Sequence, residues 1–256
     1  LPHALAIVPS STVTQSSEFC LRRAAGQDMS PDSSTAATAT GQRRRLLDGA
    51  RALGLDLGDA QADSLLRLLD ELASWNRAYN LTAVTAPDAM LTHHLLDSLA
   101  ASPDLAGTRI ADVGTGAGFP GLPLAILHPE RHFTLIDAVA KKIRFVTHCV
   151  RRLGLGNVTA VHGRAERLAA AGPFDTVIAR ACAALPQLLA LVAPLCGPAT
   201  RVVALKGRYP EAEIAALPAG WRLESSRAVS VPGLDAERHL LRLVRSTGDA
   251  ASAPGA

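Results

Sequence analysis

"ADVGTGAGFPG", residues 111–121, sets four glycines and a proline within eleven positions, at the end of the apolar run "RIADV" (109–113). Glycine adopts left-handed backbone at no steric cost and lets a ligand approach the main chain closely. A stretch of this kind after a strand is a phosphate cradle for a dinucleotide, a nucleoside-binding loop, or only a sharp turn. The segments around it narrow the choice.

Downstream, apolar runs that read as strands alternate with helical stretches: "HFTLID" (132–137), "NVTAVHG" (157–163), "FDTVIAR" (174–180) and "TRVVALKG" (200–207). That alternation predicts a doubly wound parallel sheet, an α/β fold. The end departs from it. "WRLESSRAVSV" (221–231) and "HLLRLVR" (239–245) are separated only by a short turn, and strands joined so closely must be antiparallel. Upstream, Leu65, Leu68, Leu69, Leu72 and Trp75 recur at helical spacing, with Asp59 as the expected N-cap and "NRAYNLT" (76–82) as the exit. A further helix starts near Pro87 and carries Met90, Leu91, Leu95 and Leu99 on one face. Residues 43–106 thus read as a helical N-terminal module and 107–246 as the sheet domain. Residues 1–42, rich in Ser, Thr and Ala without periodicity, and 247–256 are expected to be disordered tails.

The 256 residues hold 48% hydrophobic and 19% charged positions, a globular composition. No apolar run approaches the roughly 20 residues of a bilayer-spanning helix. The N-terminus lacks the pattern of a secretory signal. Cys20, Cys149, Cys182 and Cys196 form no CxxC pair, so neither a metal site nor a disulfide framework is expected. These features point to free thiols in a reducing cytoplasm. The net charge is +3, and nearly all the positive side chains are arginine, whose planar fork suits phosphate.

Gly116-x-Gly118-x-x-Gly121, with Asp137 about 20 residues on, satisfies the dinucleotide fingerprint. Yet the glycines begin earlier, as Asp112-x-Gly114-x-Gly116-x-Gly118. Glycines two apart let the backbone meet a flat nucleoside and an amino-acid tail, and Asp112 could accept hydrogen bonds from an ammonium, directly or through water. That is chemistry for S-adenosylmethionine, which carries an amino group and no pyrophosphate. Asp137 suits ribose hydroxyls in either case. The terminal hairpin tips the balance, because a doubly wound sheet ending in an antiparallel pair resembles the class I (Rossmann-like) methyltransferases. A nicotinamide-dependent dehydrogenase and a small-molecule methyltransferase remain the alternatives.

The acceptor atom is narrowed by what is missing. No Asn/Asp-Pro-Pro-aromatic loop, common in transfer to exocyclic amines, follows the fourth strand, which ends Ile178-Ala179-Arg180-Ala181. Cys182 lacks the proline expected beside a nucleophile for pyrimidine C5 and reads better as a small core thiol. An acceptor that already bears a lone pair, such as guanine N7, needs no general base, and catalysis then rests on alignment and desolvation.

Several segments in order, "NLTAV" (80–84), "HHLLDSLA" (93–100), "IADVGTGAGFPGLPLAI" (110–126), "FTLIDAVAKKIRF" (133–145), "FDTVIARA" (174–181), "ALKG" (204–207) and "LDAERHLL" (234–241), resemble the ribosomal RNA small-subunit methyltransferase G family, also called glucose-inhibited division protein B. The resemblance covers roughly residues 43–245. It implies methyl transfer from S-adenosylmethionine to N7 of a guanine in 16S ribosomal RNA near the decoding region. It implies a donor site at Gly114, Phe119, Ala165-Glu166 and Arg180, to which the physical reading adds Asp112, Gly116 and Asp137. Phe119 departs from the aliphatic residue of some members. Arg180 is the residue expected to position the reactants, its guanidinium engaged by the donor's carboxylate or a phosphate of the target.

Adjacent His93 and His94 point about 100° apart on a helix and cannot share a metal. They and Asp97-Ser98 read as structural support, with substrate contact the alternative for His94. Lys141, Lys142, Arg144 and Arg151 lie on the helix after the second strand, and Lys206 and Arg208 follow the fifth. All six sit near the strands' carboxyl ends, where open α/β sheets bind ligands, and are candidates for RNA phosphates.

Overall fold

The computed structural model describes residues 33–180 and 183–246. The expected tails therefore lie outside the described residues over 1–32 and 247–256, as do Cys20, Ala181 and Cys182. The chain divides into Leu1–Thr38 and Ala39–Ala256. Of the first unit only the opening of helix α1 (Ser33–Ala52) is described. That helix starts inside the stretch expected to lack structure. Alanines within "SSTAATAT" favour helix and extend it backward, although they supply no amphipathic pattern to read.

In the second unit seven strands form one sheet: β1 (Arg109–Val113), β2 (His132–Asp137), β3 (Val158–His162), β4 (Phe174–Arg180), β5 (Cys196–Lys206), β6 (Trp221–Ala228) and β7 (His239–Arg245). Their order is β3-β2-β1-β4-β5-β7-β6. The first five are parallel, and β7 runs antiparallel to both β5 and β6. Burial explains why these runs read so clearly. β1 and β2 are buried at every position but their first, as strands covered on both faces must be. Edge strand β6 alternates buried or half-buried with exposed residues, the period-2 pattern of a sheet with one wet face.

Helix α2 (Asp59–Tyr79) begins one residue after its cap. The N-cap is Gly58 rather than Asp59, and the Gln61 side chain accepts the Gly58 N–H at 3.0 Å. Asn80, with φ +48°, closes the helix in the left-handed region that asparagine tolerates. The next helix is α over Pro87–Met90 (α3), π over Leu91–Leu96 and α again over Asp97–Leu99 (α4). The expected face of Met90, Leu91, Leu95 and Leu99 is buried, and along the wide turn Thr92, His94 and Leu96 are buried as well. Helices α5 (Gly121–Leu127) and α6 (Ala140–Leu153) follow β1 and β2.

Leu46, Leu65, Leu72 and Leu95 share one apolar core with Ile110, Phe133, Ile178 and Val203 of the sheet. Residues on either side of position 106 therefore bury one another. Helix α7 (Leu185–Val192) covers the opposite face over Ala111, Val177 and Val202. Buried charge also ties the helical segment to the hairpin. Asp104, 1% exposed, accepts from Arg227 Nη2 and Arg242 Nε, each at 2.6 Å.

Candidate active site

The loop after β1 is built from left-handed glycines: φ is +70° at Gly114, +63° at Gly116 and +88° at Gly118. The N–H groups of Gly114 and Thr115 both donate to the carbonyl of Ile136, at 2.9 and 3.1 Å, which fastens the loop to β2. Beneath it lies Asp112, fully buried, whose Oδ2 accepts from Thr115 Oγ1 at 2.6 Å and from the N–H of Gly121 at 2.8 Å. Burial pushes its carboxyl up to about 6 against the pull of those two hydrogen bonds. Asp112 thus stands behind the loop and shapes it through Oδ2, while its Oδ1 is buried without a partner among the described residues.

The glycine pattern divides by role. A Cβ at Gly121 would come within 2.6 Å of Asp112 Oδ2 and 2.7 Å of Leu135 Cγ, and one at Gly118 within 2.3 Å of Leu122 Cδ1. Those two glycines are required by the protein's own packing. A Cβ at Gly116 would meet nothing closer than the Gly114 carbonyl, at 4.0 Å. Gly116 faces open space.

Beside it is a recess of about 180 Å³ lined by Gly114, Ile136, Asp137, Gly163, Ala165 and Glu166, among others. Residues from the ends of three strands, far apart in sequence, meet here. Asp137 accepts the N–H of Gly116 on Oδ2 at 2.9 Å and that of Val139 on Oδ1 at 2.8 Å. Lys142 Nζ stands 3.7 Å from Oδ2. A carboxylate has about four lone-pair sites, so capacity remains for hydroxyls. Ala165 is buried, and the short 3-10 turn Ala165–Arg167 leaves Glu166 exposed at the rim.

A second pocket, about 390 Å³, opens between the π-helical turn, the ends of β4 and β5, and the hairpin. Arg180 lines this pocket rather than the recess. Its Nη1 donates to the carbonyl of His93 at 2.8 Å and lies 3.2 Å from Asp97 Oδ2. Asp97 is itself buried, and its Oδ1 accepts from Arg238 Nε at 2.7 Å. Asp97, one of the protein's own carboxylates, thus stands beside Arg180 Nη1. Phe119 is also turned inward, 4% exposed. It stacks on His94 with centroids 4.8 Å apart, and Arg180 lies over the same ring at 5.9 Å.

His94 donates or accepts at Thr82 Oγ1 through Nε2, at 3.1 Å, while its Nδ1 is buried without a partner among the described residues. Burial, followed by the charges of Arg180 and His93, pushes its imidazole down to about 4, so it is neutral at physiological pH. The two sites adjoin: β1 and β4 are neighbours, with Asp112 opposite Ile178.

The basic candidates separate as well. Lys206 Nζ donates to Glu213 at 2.8 Å and to the Ala183 carbonyl at 2.7 Å, and Lys142 pairs with Asp137, so both are held internally. Lys141 donates to the Tyr79 carbonyl at 2.9 Å. Arg144, Arg151 and Arg208 are exposed. Burial raises the thiols of Cys149 and Cys196, the latter to about 11. Among the described residues no cluster of three or more His, Cys, Asp or Glu could hold a metal.

The family model for rRNA small subunit methyltransferase G (GidB) matches residues 61–241. The chain belongs to that family. Curated members bearing the name Ribosomal RNA small subunit methyltransferase G include one from Marinobacter nauticus, 47% identical over 79% of this chain and 94% of its own length. Those from Pseudomonas syringae pv. tomato and Ralstonia nicotianae are 46% and 48% identical over 79% and 80% of this chain, and 96% of theirs. The sheet has the class I methyltransferase order expected of the family, with its antiparallel β7.

Sequence reasoning assigned no role to Arg238 and gave Asp97 only a supporting one. One signal was present. A carboxylate on a helix face otherwise filled by leucine must find a charged partner once buried. Nothing local says that the partners are Arg180 and Arg238.

Proposed function

We propose that this chain transfers the methyl group of S-adenosylmethionine to N7 of a guanine in 16S ribosomal RNA. The observation that carries the reading is the adjoining pair of pockets at the carboxyl ends of β1 and β4, in a chain of this family. The recess fits the donor. Gly116 leaves open space where a nucleoside can approach, Asp137 can accept from ribose hydroxyls, and Ala165 and Glu166 border the place for an adenine edge. When bound, S-adenosylmethionine supplies a methyl group on a positively charged sulfur.

The second pocket receives the base. Guanine N7 attacks with its own lone pair, so the protein needs no general base, and alignment with exclusion of water carries the rate. The ring becomes positively charged as N7 is alkylated, and charge near it must be compensated. Asp97 offsets the guanidinium of Arg180, and His94 stays neutral. The partner in this reading is 16S rRNA, and the place is the cytoplasm. No helix among the described residues is long and apolar enough to cross a membrane.

Mapping N7-methylguanine in 16S rRNA from cells with and without the protein tests the proposal. One guanine should carry the methyl group only when the protein is present. An identical map in both overturns it, and copurified NAD in place of S-adenosylmethionine or its demethylated product would point to a dehydrogenase.

A further inference from the structure

Away from both pockets, helix α6 and the carboxyl end of α2 enclose a groove of about 500 Å³, walled by Trp75, Arg144, His148, Arg151 and His162. Its charge is one-sided. The fourteen residues of α6, "AKKIRFVTHCVRRL", contain five Lys or Arg and no acid. Acids three or four residues from a base stabilise a helix face, and α6 carries none. Glu71, the carboxylate on the α2 side, is held by His148 Nε2 at 2.7 Å and Arg152 Nε at 3.1 Å. Arg144 and Arg151, two turns apart on one face, are exposed and have no carboxylate partner among the described residues.

The groove has Trp75 and His148 on its wall, and Tyr79 stands beside Trp75 at its edge. The Trp75 ring, half-buried, lies 5.1 Å from Tyr79 and 5.0 Å from His148, and Tyr79 is 42% exposed. Cationic side chains beside aromatic faces are what single-stranded nucleic acid requires: the former meet phosphates and the latter stack bases without reading their identity.

The groove is connected to the reaction centre on both sides. His162 ends β3 immediately before Gly163, which lines the donor recess. On the other side Lys141 holds the Tyr79 carbonyl, and the chain then runs from Asn80 to Val84, a wall of the second pocket.

We propose that this groove binds an unpaired RNA segment flanking the target guanine, with Arg144 and Arg151 on phosphates and a base against the Trp75–Tyr79 aromatics. The inference rests on the RNA methyltransferase reading and deepens it: the substrate is gripped at two places, the reacting base and a flanking strand.

The test measures binding of a 16S rRNA fragment and methyl transfer to it, with the full chain, for wild type, Arg144→Ala/Arg151→Ala, Tyr79→Ala, and the control Arg44→Ala/Arg222→Ala on exposed arginines elsewhere. The double arginine variant should weaken RNA binding and raise its KM at least tenfold, with kcat and affinity for S-adenosylmethionine unchanged. Its log–log salt slope should fall by about 1.4, at about 0.7 for each single-strand phosphate that no longer meets an arginine. Tyr79→Ala should weaken binding without changing that slope, and Tyr79→Phe should restore it. Wild-type RNA affinity in the double variant, or an equal loss in the control, overturns the groove while leaving the methyltransferase reading intact. Absence of N7-methylguanine from the 16S rRNA of cells that make the wild-type protein overturns both.

Discussion

Replacing His94 with Gln should change how the protein's stability responds to acid. His94 is 7% exposed, and burial, with Arg180 and His93 adding to it, lowers its imidazole from 6.5 to about 4. Between those values the unfolded chain binds a proton that the folded protein refuses, so stability rises with pH across the window. The contribution is complete above pH 6.5 and is lost as the pH falls towards 4. At about 1.4 kcal/mol per pH unit, acidifying from pH 7 to 5 withdraws about 2 kcal/mol.

Asp112 works in the opposite sense. Its carboxyl is raised from 3.8 to about 6, so the folded state takes up its proton first and stability falls as pH rises through that interval. The two groups largely offset one another between pH 4 and 6, and the wild-type profile hides both. His94→Gln keeps a polar group opposite Thr82 and removes the titration. Urea unfolding followed by circular dichroism, for wild type and variant at pH 7 and 5, reads the difference. The gap in unfolding free energy should close by about 2 kcal/mol at pH 5. A gap independent of pH would refute the neutral, desolvated imidazole.

Arg180→Ala leaves Asp97 with Arg238 alone and should lower kcat for methyl transfer at least tenfold, about 1.4 kcal/mol; Arg180→Lys should also fall, and a wild-type rate in the Lys variant would show that charge alone matters. Gly116→Ala should weaken S-adenosylmethionine binding at least tenfold by calorimetry while the protein stays folded, its strain at φ +63° costing about 1 kcal/mol. Gly121→Ala should instead lower the melting temperature, because its Cβ meets Asp112 and Leu135. Asp104→Asn should destabilise by about 2 kcal/mol in urea, less than for a fully buried pair because Arg227 and Arg242 keep partial access to water. Equal stability would mean that the two arginines are satisfied without it.

The sheet was legible in the sequence because each strand carries its own information. "RIADV", "HFTLID", "FDTVIAR" and "HLLRLVR" are apolar runs bounded by turn residues, and the observed strands coincide with them. The short turn between the last two required them to be antiparallel, through chain length alone. The glycine loop was likewise visible, since glycines needed for backbone shape leave their mark residue by residue, and the choice of donor came from the terminal hairpin and the family resemblance.

What the tertiary structure decided is which charges meet. Asp97 reaches Arg180 across 83 positions and Arg238 across 141, and no local pattern encodes a contact whose partners are brought together only when the sheet closes. The same holds for the loop's interior. Asp112 reads in the sequence as an acceptor beside the glycines, and its burial beneath Gly121 follows from how α5 packs on β2. The π-turn over Leu91–Leu96 escaped a reading based on a 3.6-residue period, and it adds Thr92, His94 and Leu96 to the side chains that reading expected to be buried. Periodicity and turn chemistry are local, and strands, helices and loop follow from them. Charge pairing and burial depend on the whole fold, and in this protein they set the electrostatics of the site.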